Sequence, residues 1–192
     1  MTLLDELSVR ICLGKDRDRD KDKDKDKEKD NVTRITLLGI GNRLRGDDCL
    51  GPYVIDNLVS ASASASASAS ASEKDNVMVI DCGEIPEAFT QKIISFAPTH
   101  IIMVDSAKMG EYPGAIRIVD MSEIKGLSLS THQLPLNILA KYLQNATSAE
   151  ILLIGVEPKN LDFSGAEMEM SGEVRIAAEK LTEVLKQLFT LL

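Results

Sequence analysis

The residues best suited to chemistry in this 192-residue chain fall in four short polar stretches, each set beside an apolar run. Gly39-Ile40-Gly41-Asn42-Arg43-Leu44-Arg45-Gly46-Asp47-Asp48 is the first, Asp81 with Glu84 the second, and Asp105 the third. Ser130-Thr131-His132-Gln133 is the fourth. The chain has only two histidines. His100 opens an apolar run and reads as structural, which leaves His132, in a loop ahead of a helix. Asp48 stands just before a predicted helix, where the helix dipole favours a negative charge. Asp105 ends a buried strand, where a carboxylate is costly unless it is paired or bound to a cation. Two carboxylates and a neutral imidazole make a mixed oxygen and nitrogen site for a divalent metal such as zinc or nickel. Three protein ligands leave positions open for water or a substrate group. The same residues also have plainer uses. Asp48 can cap its helix, Asp105 can accept loop N–H groups, and His132 can be a hydrogen-bonded loop residue.

The first stretch also invites a nucleotide reading, because Gly39-x-Gly41 follows a strand and opens toward a helix. Its third glycine, Gly46, is out of step with the dinucleotide fingerprint. Asp47 and Asp48 would stand where a pyrophosphate should sit, and carboxylates repel phosphate from such a turn.

The elements that must position these residues follow from the apolar pattern. Ile35–Ile40, Val77–Ile80, His100–Asp105, Ala115–Val119 and Ile151–Val156 are short, nearly continuous apolar runs, which predict buried strands. Helical spacing marks residues 50–59, 87–96 and 134–143. Residues 173–192 form a longer amphipathic stripe through Val174, Ala177, Ala178, Leu181, Leu185 and Leu188. Buried strands alternating with helices predict an α/β fold, a three-layer α/β/α sandwich around a mostly parallel, twisted sheet of about five strands. The link from Asp105 to Ala115 is too short for a helical crossover, so the fourth strand is expected to run antiparallel. In such sheets, sites gather beyond the carboxyl ends of the strands, where all four polar stretches fall.

Composition narrows the field. The net charge of −8 argues against a nucleic-acid surface. No apolar run approaches the length of a transmembrane helix, and the acidic start of the chain does not read as a secretory signal. Three cysteines, Cys12, Cys49 and Cys82, form no Cys-x-x-Cys pair and fit a reducing cytoplasm better than a disulfide framework. Two low-complexity stretches stand apart. Residues 15–30 alternate basic and acidic side chains and offer no apolar face to bury. Residues 60–72 alternate serine and alanine. Residues 1–32 are therefore taken as an N-terminal segment, disordered in part. Residues 33–192 are taken as one domain with a Ser-Ala loop insertion at 60–72, expected to be monomeric.

At the polar stretches the chain resembles the hydrogenase maturation endopeptidases. Leu38-Gly39-Ile40-Gly41-Asn42-x-Leu44-x-Gly46-Asp47-Asp48 is similar to their opening motif, and Asp81-x-Gly83-x-x-Pro86-Glu87 to the second. Val104-Asp105-Ser106-Ala107-x-Met109-Gly110-x-x-Pro113-Gly114 resembles the third, Ser130-Thr131-His132-Gln133-Leu134-Pro135 the fourth, and Gly155-Val156-Glu157-Pro158 the fifth. The likeness runs from about Thr33 to the C-terminus, in the style of the branch that serves formate-hydrogenlyase-type and related archaeal hydrogenases. It implies removal of a C-terminal peptide from the nickel-loaded large-subunit precursor of a nickel–iron hydrogenase, by enzymes classed as aspartic-type endopeptidases. It carries the metal positions onto Asp48, Asp105 and His132, with Asp48 and Asp105 as catalytic candidates. Nickel would come with the substrate, and other divalent metals could substitute for it. A non-catalytic protein that recognises the nickel centre of the same precursor is the alternative. Two positions depart from the pattern. Cys49 stands where many members have glycine, and because cysteine tolerates positive φ poorly the loop is expected to differ locally. Cys82 replaces a glycine of the second motif. The two thiols are either soft metal ligands or buried and inert.

Overall fold

The computed structural model describes residues 1–13, 32–62, 71–74, 76–120, 128–129, 135–163 and 165–192. Among the described residues seven strands run β1 (Ile35–Ile40), β2 (Ala71–Lys74), β3 (Val77–Gly83), β4 (His100–Lys108), β5 (Ile116–Asp120), β6 (Ser128–Leu129) and β7 (Glu150–Val156). Five described α-helices accompany them: α1 (Leu3–Leu13), α2 (Leu50–Ser62), α3 (Thr90–Phe96), α4 (Leu136–Thr147) and α5 (Gly172–Thr190). The sheet order is β2-β3-β1-β4-β7-β5, with β6 paired to β4. The four central strands β3, β1, β4 and β7 are mutually parallel. The mostly parallel α/β fold and all five predicted strands are therefore present. β5 runs antiparallel as expected, yet its neighbour is β7 rather than the β4 that precedes it in sequence. Two short strands join the five: β2, antiparallel on the β3 edge, and β6, antiparallel on the end of β4.

Period-2 alternation explains the layering. Ile35 and Leu37 of β1, with Ile102 and Val104 of β4, face α1, α2 and α5. Leu38 and Ile40, with Ile101 and Met103, face α3 and α4. Each strand is thus apolar on both sides, as a covered parallel sheet requires. On β4 the same alternation sends Asp105 to the α3/α4 side and Ser106 to the α2 side.

Helix α1 was not anticipated. Thr2 and Asp5 cap it reciprocally: the Asp5 N–H donates to Thr2 Oγ1 (3.1 Å), and the Thr2 N–H donates to Asp5 Oδ2 (2.8 Å). The exposed Asp5 carboxyl is held below its ordinary range, chiefly by its hydrogen bond from the Thr2 backbone. Leu7 and Ile11 then sink into the core shared by α2 and α5. Residues 3–13 therefore add to the core of the domain, whereas the charged run at 15–30 lies outside the described residues. Most of the Ser-Ala stretch also lies outside them. Of its two ends, one prolongs α2 to Ser62 and the other forms the start of β2.

Candidate functional site

Asp48 is placed by a tight turn. After β1, Gly41 adopts φ 137°, where a Cβ would collide with the Asp48 carbonyl oxygen. The Asn42 side chain accepts the Leu44 N–H (2.8 Å), and the Arg45 carbonyl accepts the Asp48 N–H (2.9 Å). This local bonding bends the chain into a 3-10 turn, Gly46–Cys49, that feeds directly into α2. Asp48 is buried there. Its Oδ2 accepts the Asn42 N–H (3.1 Å), and its Oδ1 accepts the Ser106 hydroxyl (3.1 Å).

Asp105 lies one residue before Ser106 on β4 and is fully buried. Its register partner on β7 is Gly155, over which Ala107 and Met109 pack. The structure therefore brings both acids to the same end of the sheet: Asp48 in the turn after β1, bonded to the Ser106 hydroxyl, and Asp105 on β4, next to Ser106 in sequence but directed to the opposite face. His132 lies outside the described residues. Among the described residues, no three His, Cys, Asp or Glu side chains assemble as a metal-binding set. A three-ligand site would therefore need a donor from outside the described residues, where His132 lies.

Three further acidic residues organise this end of the sheet. Asp47, adjacent to Asp48, is fully buried. Its Oδ2 accepts the backbone N–H groups of Lys159 (2.7 Å) and Asn160 (2.8 Å), and its Oδ1 accepts that of Ser171 (2.7 Å). Arg45 adds a bond to the Leu161 carbonyl (3.2 Å). The loop that carries Asp48 is thus bound to the segment between β7 and α5. Glu157 acts similarly on the loop after β4, where its Oε2 accepts the N–H groups of Met109 (2.6 Å) and Glu111 (3.1 Å). Asp81, at the end of β3, accepts the Gly83 N–H (3.0 Å) and the Arg43 guanidinium (2.6 Å). Arg43 also grips Asp56 of α2 through both terminal nitrogens (2.7 and 3.0 Å). Its pKa is raised above the ordinary arginine value, chiefly by the Asp56 bond. The anchoring roles of Asp47 and Glu157 were not read from the sequence, although both residues stand in the motifs quoted above.

Cys49 and Cys82 are buried. Burial, with the Asp47 charge second, pushes the Cys49 thiol up to about 11. Burial, with the Asp81 charge second, raises the Cys82 thiol as well. Both side chains therefore remain protonated near neutrality when no metal is bound. The local departure expected at Cys49 does not arise from its backbone. Cys49 lies in the 3-10 turn, and the described non-glycine residues with positive φ are Ala97, Ser148 and Met168. The left-handed position in this loop is taken by Gly46, at φ 46°.

The mostly parallel α/β/α domain, with buried acids at the carboxyl end of its sheet, belongs to a class of α/β scaffolds that hosts many activities. Comparison with known proteins narrows that class: the HycI hydrogenase maturation protease family model matches residues 64–187, and this chain belongs to that family. Its members are peptidases. The chain is 36% identical over 160 residues to a putative hydrogenase maturation protease of Methanocaldococcus jannaschii, covering 81% of this chain and 88% of that one. It is 32% identical over 151 residues to the hydrogenase 3 maturation protease of Escherichia coli K12, covering 78% and 87%. The crystal structure of the [NiFe] hydrogenase maturation protease HycI from Thermococcus kodakarensis KOD1 superposes with a TM-score of 0.70 at 33% identity. That match covers 82% of this chain and 93% of the other.

Proposed function

We propose that the chain is an endopeptidase that removes a C-terminal peptide from the nickel-loaded precursor of a nickel–iron hydrogenase large subunit. The observation that carries this is that Asp48, in the turn after β1 and bonded to Ser106, and Asp105, in the last part of β4, are both buried at the same end of the sheet. In this account the nickel belongs to the substrate. Asp48, Asp105 and His132 complete its coordination, and another divalent ion in the same place would be held by the same donors. The ion then polarises the scissile carbonyl or the attacking water, or Asp48 or Asp105 takes the proton from that water. Ser106 and the Asn42 N–H hold the Asp48 carboxylate in one orientation, so less ordering remains when the metal arrives. The chain acts as a monomer in the cytoplasm, in keeping with two buried, unpaired thiols. No described helix is long and apolar enough to cross a membrane.

The test is incubation of nickel-loaded precursor with wild-type protein and with Asp48→Asn, Asp105→Asn and His132→Ala variants, followed by intact-mass measurement. The wild type should release one discrete peptide and each variant none. Normal release by Asp105→Asn would reject the metal-site account. A stable complex with no release by wild type would favour a binding protein over a peptidase.

A further inference from the structure

A row of register partners leads sideways from Asp48 along one face of the sheet. Ser106 of β4, whose hydroxyl bonds Asp48, is in register with Val156 of β7, and Val156 with Ile116 of β5. Side chains in register share a face, here the face covered by α1, α2 and α5. Ile116 lines a pocket of about 430 Å³, together with Leu3 of α1, Tyr112 of the loop after β4, and Ile176, Ala177 and Lys180 of α5. Its walls are fixed. The Gly114 N–H donates to the Glu157 carbonyl (2.8 Å), and the Glu157 N–H to the Ala115 carbonyl (2.9 Å). Gly114, at φ 82°, lies so close to α5 that a Cβ would collide with the Glu173 carbonyl oxygen. A pocket already ordered costs less entropy to fill.

The pocket is aliphatic with one unbalanced cation. Leu3, Ile116, Ile176 and Ala177 supply the apolar lining, and Ile176 is 68% exposed. Glu173 at its edge is neutralised by Lys159 (2.7 Å). The Lys180 ammonium has no ion pair or hydrogen bond among the described residues. An occupant that offers an apolar group with an anion beside it complements both features. Leu3 lies well before residues 64–187, the part matched by the family model, so one wall of the pocket belongs to this chain rather than to that model.

Resting on the processing function proposed above, we propose that this pocket is a specificity subsite for the peptide that is removed. It takes an apolar side chain of that peptide, and Lys180 pairs with a neighbouring acidic side chain. Position selects this occupant. From Ser106 to Ile116 is two strand spacings, roughly 10 Å, which an extended chain covers in about three residues. The pocket therefore reads residues at a fixed distance from the cleaved bond, about three to five beyond it, whatever the length of the peptide. The folded body of the precursor is held by its metal at the acids, whereas the tail is the part free to extend into a narrow pocket.

The test uses the full chain and nickel-loaded precursor, with steady-state peptide release followed by mass spectrometry. Lys180→Glu and Ile176→Ala are compared with wild type and with Lys141→Glu on the exposed side of α4 as a control. Thermal melting checks folding, and light scattering checks oligomeric state. Lys180→Glu should raise KM about tenfold with kcat held within about twofold. Ile176→Ala should raise KM about fivefold or more, and Lys141→Glu should leave both constants unchanged. A charge swap separates pairing from a structural effect. Acidic residues among the first six of the removed peptide are replaced by lysine one at a time. One such precursor should be a poor substrate for wild type and recover its KM with Lys180→Glu. Unchanged KM in the pocket variants, loss confined to kcat, or no recovery in the charge swap overturns the subsite and leaves the processing function standing. Pocket substitutions that dissociate a wild-type dimer without changing KM would assign the pocket to a second copy of this chain, and also overturn it. Wild type that neither binds nor cleaves the precursor would reject the processing function itself, and this occupant with it.

Discussion

Substituting Asp47 by asparagine isolates the link between the site loop and the rest of the domain. The carboxylate accepts three backbone N–H groups at 2.7 to 2.8 Å from Lys159, Asn160 and Ser171, and it is fully buried. Asparagine has nearly the same shape but one acceptor oxygen, and its amide would point two hydrogens at backbone donors. If the oxygen keeps Lys159 and Asn160, the Ser171 N–H is left facing an NH2 group. The lost bond to a charged acceptor costs about 1.5–3 kcal/mol, and the stranded donor about 1–3 kcal/mol more. The sum is about 2.5–6 kcal/mol. For a domain of this size, 1 kcal/mol moves the melting temperature by about 2–4 °C, so Asp47→Asn should melt roughly 5 °C or more below wild type. Circular dichroism melting and urea titration measure it, with Asp162→Asn on the exposed part of the same segment as a control expected within about 0.5 kcal/mol. A melting temperature for Asp47→Asn within 2 °C or so of wild type, on the same scale, would refute the anchoring role.

Other expectations follow from the same structure. Leu7→Ala removes a fully buried side chain of α1 and should cost about 2–5 kcal/mol in unfolding free energy, read from urea midpoints. Arg43→Ala breaks partly exposed ion pairs with Asp56 and Asp81 and should cost about 1 kcal/mol, with the difference from wild type shrinking at high salt. Cys49 and Cys82 should resist a thiol reagent in the native protein at pH 8 and react on unfolding. Because the folded Cys49 pKa is raised from 9.0 to about 11, its burial disfavours ionisation. Stability should therefore be intact below pH 9 and fall as the pH rises from 9 toward about 11, with Cys82 acting in the same direction. Denaturation midpoints that stay level across that range would contradict the burial of these thiols.

What the sequence disclosed depended on the range of the interactions involved. The five main strands were legible because each is a nearly continuous apolar run, Asp105 because it closes one such run, and Asp48 because it stands just before a helical pattern. β2 carries no apolar signal; its register against β3, with Ala71 opposite Ile80 and Lys74 opposite Val77, comes from tertiary pairing. Helix α1 did have a local signal, the Thr2-x-x-Asp5 box ahead of Leu7 and Ile11, which was obscured by the charged run that follows. The role of Asp47 was not legible, because its three partners are backbone N–H groups 112, 113 and 124 residues away. Backbone donors leave no trace in residue type. Cys49 shows the converse: its residue type suggested a strained loop, but the fold places positive φ at Gly41 and Gly46 instead.

The most direct test of the central claim is the intact mass of the large-subunit precursor, nickel-loaded and nickel-free, after incubation with wild-type protein and with Asp105→Asn. Release of one C-terminal peptide only from the nickel-loaded precursor, and only by wild type, is the expected result. Equal release from both precursors, or release by Asp105→Asn, would contradict it.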